Sequence, residues 1–214
     1  MSAASPPLYA VVLSLTNLLL VAYMAVYHLV SNFYLETQID QFERLFGPAR
    51  SVRLSTTFNV AFPVGGFIAS VPVAALLQSA EKHEHVYFSV ALVFSNIFSF
   101  LSLLPSEAAQ VGAALLFGPV RCLTWACYFQ FLATETRYPP TISARAMGYN
   151  NVIIAVAGAV GPYLLAHAVS LSGATEGGVE RYFVVKAWLQ FVNLSIFAFP
   201  ISLWQQRRMA MGSH

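Results

Sequence analysis

The chain has 214 residues, 57% of them hydrophobic and only 9% charged, with a formal net charge of +2. Ordinary soluble domains carry about 25% charged residues, so this composition excludes a soluble globule. The mild positive balance, with no basic tract interleaved with aromatics, argues against a nucleic-acid partner and leaves the lipid bilayer as the partner that the composition implies.

Six stretches of about 20 apolar residues take up most of the length, and a helix rising about 1.5 Å per residue needs roughly 20 such residues to cross a hydrocarbon core about 30 Å thick. The predicted fold is therefore all-α, a polytopic membrane protein with a bundle of six transmembrane helices in one domain, 1–214. Met1 to Pro7 has no basic leader region, and the apolar run behind it is as long as a span, so no cleaved signal or transit peptide is expected. The first span is read from Leu8 to Val30. In the connection from Ser31 to Thr56, Phe33, Leu35, Ile39, Phe42, Leu45 and Phe46 alternate with Glu36, Asp40, Glu43, Arg44, Arg50 and Arg53. Two readings stay open there: a short interfacial helix within 33–50, or a solvated loop with a few anchoring aromatics.

The second span, Thr57 to Gln78, carries Asn59 and the small residues Gly65, Gly66 and Ala69 at spacings that let helix backbones approach closely in lipid. A short loop with Glu81, Lys82, His83, Glu84 and His85 leads to the third span, Val86 to Leu104. Histidines two apart on a short loop do not form a helical ligand pair, so no metal site is expected. Pro105, Ser106 and Glu107 predict a tight turn in which Ser106 caps the fourth span and Glu107 sits favourably in its first turn, making spans three and four an antiparallel hairpin.

The fourth span, Ala108 to Leu132, holds Arg121 at its middle, together with Cys122 and Cys127, which face different sides of the helix. The fifth, Met147 to Ser170, opens with Asn150 and Asn151 and carries Gly158 and Gly161 at packing spacing; the sixth is Phe183 to Trp204, with Lys186 near its start. Pro63, Pro72, Pro119, Pro162 and Pro200 are expected to kink spans two, four, five and six. Lys and Arg divide five to each side of the membrane, so the positive-inside rule assigns no orientation.

Arg121 is the main candidate for function, because an ionisable group at mid-membrane is costly. It either binds an anionic substrate group or is a buried charge compensated by helix carbonyls, by Tyr128 or Tyr149, or by a partner chain. Asn59, Asn150 and Asn151 are polar intramembrane candidates, suited to a substrate path or to interhelical hydrogen bonding. No nucleophile elbow, phosphate loop or haem-attachment motif is present, so neither catalysis nor a cofactor is expected.

The run Phe58-Asn59-Val60-Ala61-Phe62-Pro63-Val64-Gly65-Gly66 resembles the eighth helix of major facilitator transporters. Val120-Arg121 through Phe131-Leu132-Ala133-Thr134, followed by Met147-Gly148-Tyr149-Asn150-Asn151, is similar to the tenth and eleventh helices of the system-L amino-acid facilitators, the solute carrier 43 branch. In that branch an arginine in helix ten and a glycine opening helix eleven recur, and Arg121 and Gly148 match them. The resemblance implies one six-helix half of a twelve-helix fold whose substrate lies between two halves. The charged gating loop of that superfamily is replaced here by Leu77-Gln78-Ser79-Ala80-Glu81-Lys82-His83-Glu84-His85. The expected role is accordingly a transporter-derived, non-catalytic subunit of a larger membrane complex, partnered by other membrane subunits. By analogy its home is an energy-transducing membrane such as the mitochondrial inner membrane. The alternative is a half-size amino-acid-like transporter that pairs with itself or with a second six-helix half.

Overall fold

The computed structural model describes residues 7–80, 83–134, 138–171 and 179–212, and every regular element among them is an α-helix. The short α1 (Leu8–Val12) ends at Leu13, and Ser14 caps α2 (Leu15–Phe46). The Ser14 hydroxyl accepts the Asn17 N–H at 3.3 Å and donates to the Val11 carbonyl at 2.8 Å. One side chain thus serves two helix ends, which breaks the apolar run expected as a single span from Leu8.

α2 and α3 (Pro48–Ser79) are 32 residues each, about 48 Å long. The segment 31–56 is therefore neither a separate interfacial helix nor a loop; it continues both helices into one long hairpin. Residues 31–46 contain no glycine or proline, and Ser31 and Thr37 return their hydroxyls to the carbonyls of Tyr27 and Phe33, so nothing stops α2 there. The stop comes at Gly47, whose φ of +79° and ψ of 166° lie in a region essentially restricted to glycine. Pro48 then starts α3 at the position where its missing N–H costs nothing.

α4 (Glu84–Leu103) and α5 (Glu107–Leu132) form the expected hairpin, with Ser106 accepting the Ala109 N–H at 3.2 Å. The Gln110 amide donates to the carbonyls of Ser102 (3.1 Å) and Leu104 (2.7 Å), and the Lys186 ammonium donates to Ser102 O at 2.6 Å. Together they satisfy the exposed carbonyl end of α4, where a cation also suits the helix dipole.

α6 (Pro140–Leu171) begins seven residues before Met147, with Pro140 in the first helical position. The sixth span is divided into α7 (Val179–Ser195) and α8 (Ala198–Gly212). Pro200 has no N–H for the Ile196 carbonyl, so Phe199 takes that acceptor at 3.1 Å and the chain turns there rather than kinking within one helix. α3 and α5 run on through Pro63, Pro72 and Pro119. The side chain of Pro162 lies outside the described residues.

Leu15–Phe46, Pro48–Ser79, Glu84–Leu103, Glu107–Leu132 and Tyr182–Met211 are long and apolar enough to cross a membrane, and α6 at 32 residues matches them in length. The protein is an all-α bundle with the lengths and apolarity of an integral membrane protein. α3 packs chiefly on α5, α2 on α6, and α4 on α5 and on α7–α8. The buried aromatics form two knots spaced about 16 Å apart along α2: Tyr23 with Phe88, Phe131 and Phe199, and Tyr34 with Phe58, Phe98 and Phe117. Val60, Val64, Phe67, Ile68 and Val71 of α3 are exposed, as a lipid-facing helix side requires.

Candidate functional site

One cluster of polar residues inside the bundle is built on α2. Asn17, at its start, exchanges hydrogen bonds with Asn150 of α6: Asn17 Nδ2 donates to Asn150 Oδ1 at 3.0 Å, and Asn150 Nδ2 donates back to Asn17 Oδ1 at 2.8 Å. The Tyr138 hydroxyl adds a third bond, to Asn17 Oδ1 at 2.9 Å, and the Asn17 amide also reaches Val12 O at 2.9 Å. Both asparagines are fully buried. The neighbouring Asn151 accepts the Tyr128 hydroxyl at 2.9 Å, tying α6 to α5. Asn59 is exposed on α3 and joins neither group.

Because the Asn17 and Asn150 amides satisfy one another, Asn17→Leu should leave the buried Asn150 amide without its partner. Interhelical hydrogen bonds in membranes contribute roughly 0.6–2 kcal/mol. The single variant is expected to lose about 2 kcal/mol in detergent unfolding, and the Asn17→Leu/Asn150→Leu pair should lose less than the sum of the two singles. Additive losses would mean that the pair is not coupled.

The small residues mark where helices touch. An added Cβ on Gly65 would lie 2.9 Å from Pro119 Cδ, and one on Gly66 would lie 3.6 Å from Gly118 O, so both face α5. On α6, a Cβ at Gly158 would strike the His28 ring, and one at Gly161 would strike Leu29, so both face α2. The Asn32 amide also donates to Gly158 O at 3.1 Å. Gly148 lies within α6 rather than at its opening, with nothing within 4 Å of an added Cβ.

Arg121 occupies the middle of α5, with its guanidinium carbon 5.9 Å from the centre of the Phe62 ring. Its Nη1 is buried with no hydrogen-bond partner, as is His28 Nδ1. The Arg121 charge acts on both Tyr27 and His28, and the Tyr27 hydroxyl neighbours that of Thr124. Among the described residues no carboxylate is paired with Arg121. The result is a cationic spot at mid-bundle to which no carboxylate is paired among the described residues, and a guanidinium can bind a carboxylate bidentately.

The sequence points to Arg121, to Lys186 as a charge within a span, and to the glycines, but not to Asn17, Tyr138 or Gln110. The only local signal for Asn17 is an amide within an apolar run. Cys122 and Cys127 are free thiols. Among the described residues no group of three or more His, Cys, Asp or Glu side chains could hold a metal ion; Glu81 lies outside them. Comparison of the chain with protein-family models, curated proteins and solved structures gives no match.

Proposed function

We propose that the chain is a non-catalytic accessory subunit of a larger membrane assembly, built on the plan of one half of a major facilitator. The observation that carries the subunit role is the use made of the intramembrane amides. Asn17 with Asn150, Gln190 with Asn96 (2.8 Å) and Asn193 with Ser95 (3.3 Å) join helices to helices. Polar groups that bond to one another hold a scaffold together, although the amide oxygens of Gln190 and Asn193 stay buried without a partner.

What supports the facilitator plan is an exchange symmetry in the packing. Swapping α2 with α5, α3 with α6, and α4 with α7–α8 turns the α3–α5 contact into α6–α2 and the α4–α5 contact into α7–α8 with α2, while α4 with α7–α8 maps onto itself; the α2–α3 contact has no α5–α6 counterpart of similar extent, so the exchange is partial. Each swapped pair of spans runs in opposite directions, the arrangement of an inverted three-helix repeat. The glycine contacts follow the same exchange, Gly65 and Gly66 on α5, Gly158 and Gly161 on α2.

The second reading, a half-size amino-acid-like transporter, is favoured by one observation, the unpartnered buried donor of Arg121. Reconstitution of the purified chain into vesicles separates the two. The subunit reading expects no uptake of labelled neutral amino acids and co-migration with other membrane proteins after mild extraction. Saturable uptake by the chain alone would replace it with the transporter reading. An energy-transducing membrane is the proposed home by analogy with other small accessory subunits, and fractionation against inner-membrane markers tests it.

A further inference from the structure

A cavity of about 400 Å³ opens at the end of the bundle where α2 finishes, α4 turns into α5 and α7 begins. Its walls bring together Gln41 and Arg44 of α2, Ser102 at the end of α4, and Tyr182 and Lys186 of α7. Lys186 is 7% exposed and lies 5.7 Å from the centre of the Tyr34 ring. Of its three N–H donors, one is spent on Ser102 O at 2.6 Å. Arg44 is already compensated, pairing with Asp40 at 2.9 Å, and Asp40 also accepts the Tyr182 hydroxyl. No carboxylate among the described residues is paired with Lys186, whose amine otherwise meets the Ser102 carbonyl and the Tyr34 ring. An anion in the open cavity would supply a counter-charge.

The rest of the lining decides which kind of anion. Leu45, Leu103, Pro105 and Phe183 make most of the wall apolar, unsuited to a small hydrated solute. From the mouth, Val184, Trp188 and Phe191 of α7 continue as an exposed apolar ridge, each 57–65% exposed. Their spacing of four and three residues keeps them on one helix side, over roughly 10 Å of rise, and the cavity that Val184 lines reaches round the start of α7 to Lys186, which projects from the other side. A cationic pocket at the end of a membrane helix, joined to an apolar track leading toward the bilayer interior, has the chemistry of a phospholipid: phosphodiester at one end, acyl chain along the other.

We infer that the cavity between α2, α4 and α7 holds the headgroup of an anionic phospholipid, with its phosphodiester on Lys186 and an acyl chain along Val184, Trp188 and Phe191. The site is distinct from the Arg121 spot and independent of which functional reading holds.

Native mass spectrometry of the detergent-purified full chain tests this directly, with dioleoyl phosphatidylglycerol, dioleoyl phosphatidylcholine and inorganic phosphate as probes. Phosphatidylglycerol should be retained at least about 10-fold more tightly than phosphatidylcholine, as expected when a charged hydrogen bond is at stake. Lys186→Gln should erase that preference. Val184→Glu, which places a negative charge at the exposed mouth without touching the helix contacts, should do the same and covers the case in which Lys186→Gln folds poorly. Inorganic phosphate should give no stable adduct. Equal retention of the two lipids, undiminished retention by both variants, or phosphate binding as tight as that of phosphatidylglycerol would each overturn the assignment, the last by making the site one for a free anion.

Discussion

Gly118→Ala is expected to be among the most damaging single substitutions in the chain. A Cβ built on Gly118 runs into the Phe62 carbonyl oxygen and lies 2.8 Å from the Gly66 nitrogen. Both obstacles are backbone, so no side-chain rotation relieves them, and α3 must move off α5 along its most extensive contact. Overpacking against movable side chains costs about 1–3 kcal/mol, and a rigid obstacle puts this variant at or beyond the top of that range, about 3 kcal/mol. The measurement is the yield of monodisperse protein and its thermal midpoint in detergent. Gly148→Ala is the matched control, because an added Cβ there meets nothing within 4 Å. It should match the parent or gain up to about 1 kcal/mol from helix propensity. Gly158→Leu falls between them at its first carbon, since His28 and Asn32 side chains can give way, but the full leucine has no room between α6 and α2. Parent-like behaviour of Gly118→Ala would show that α3 and α5 do not approach as closely as described.

That contact also shows what is legible in the residues and what is not. Gly65 and Gly66 stand out as a small pair in an apolar span, but their partner, Gly118, is a lone glycine before a proline, and nothing local says that it faces Phe62. The turn at Ser106 was readable because a cap and an acidic first-turn residue are local chemistry. The length of α2 was not. Its last two turns alternate apolar and charged residues, a pattern shared by an interfacial helix, a solvated loop with anchors and a helix projecting past the bilayer, and it is the Gly47 conformation that ends it. The Asn17–Asn150 pair and the Lys186–Ser102 bond span 133 and 84 residues, so they depend on which helices become neighbours. An isolated amide or ammonium in a span announces only that a partner must exist.

Arg121 is the residue for which that partner is still to be supplied, and its removal should therefore move two measurements in opposite directions. Within the isolated chain, Nη1 is a buried donor with no acceptor. An unsatisfied buried donor costs roughly 1–3 kcal/mol, so Arg121→Leu should raise the stability of the purified chain by about that amount. If the missing acceptor is a carboxylate on a neighbouring subunit, the same variant should lose its co-purifying partners in native membranes, because breaking a buried charge pair from one side costs about 3–5 kcal/mol. A transporter responds differently: Arg121→Gln abolishes uptake, while extraction from native membranes yields the same set of partners as the parent. A fall in the stability of isolated Arg121→Leu would contradict both accounts. It would mean that the guanidinium contributes more through its packing on Phe62 than it costs as a lone charge, leaving Arg121 a structural residue of the α3–α5 contact.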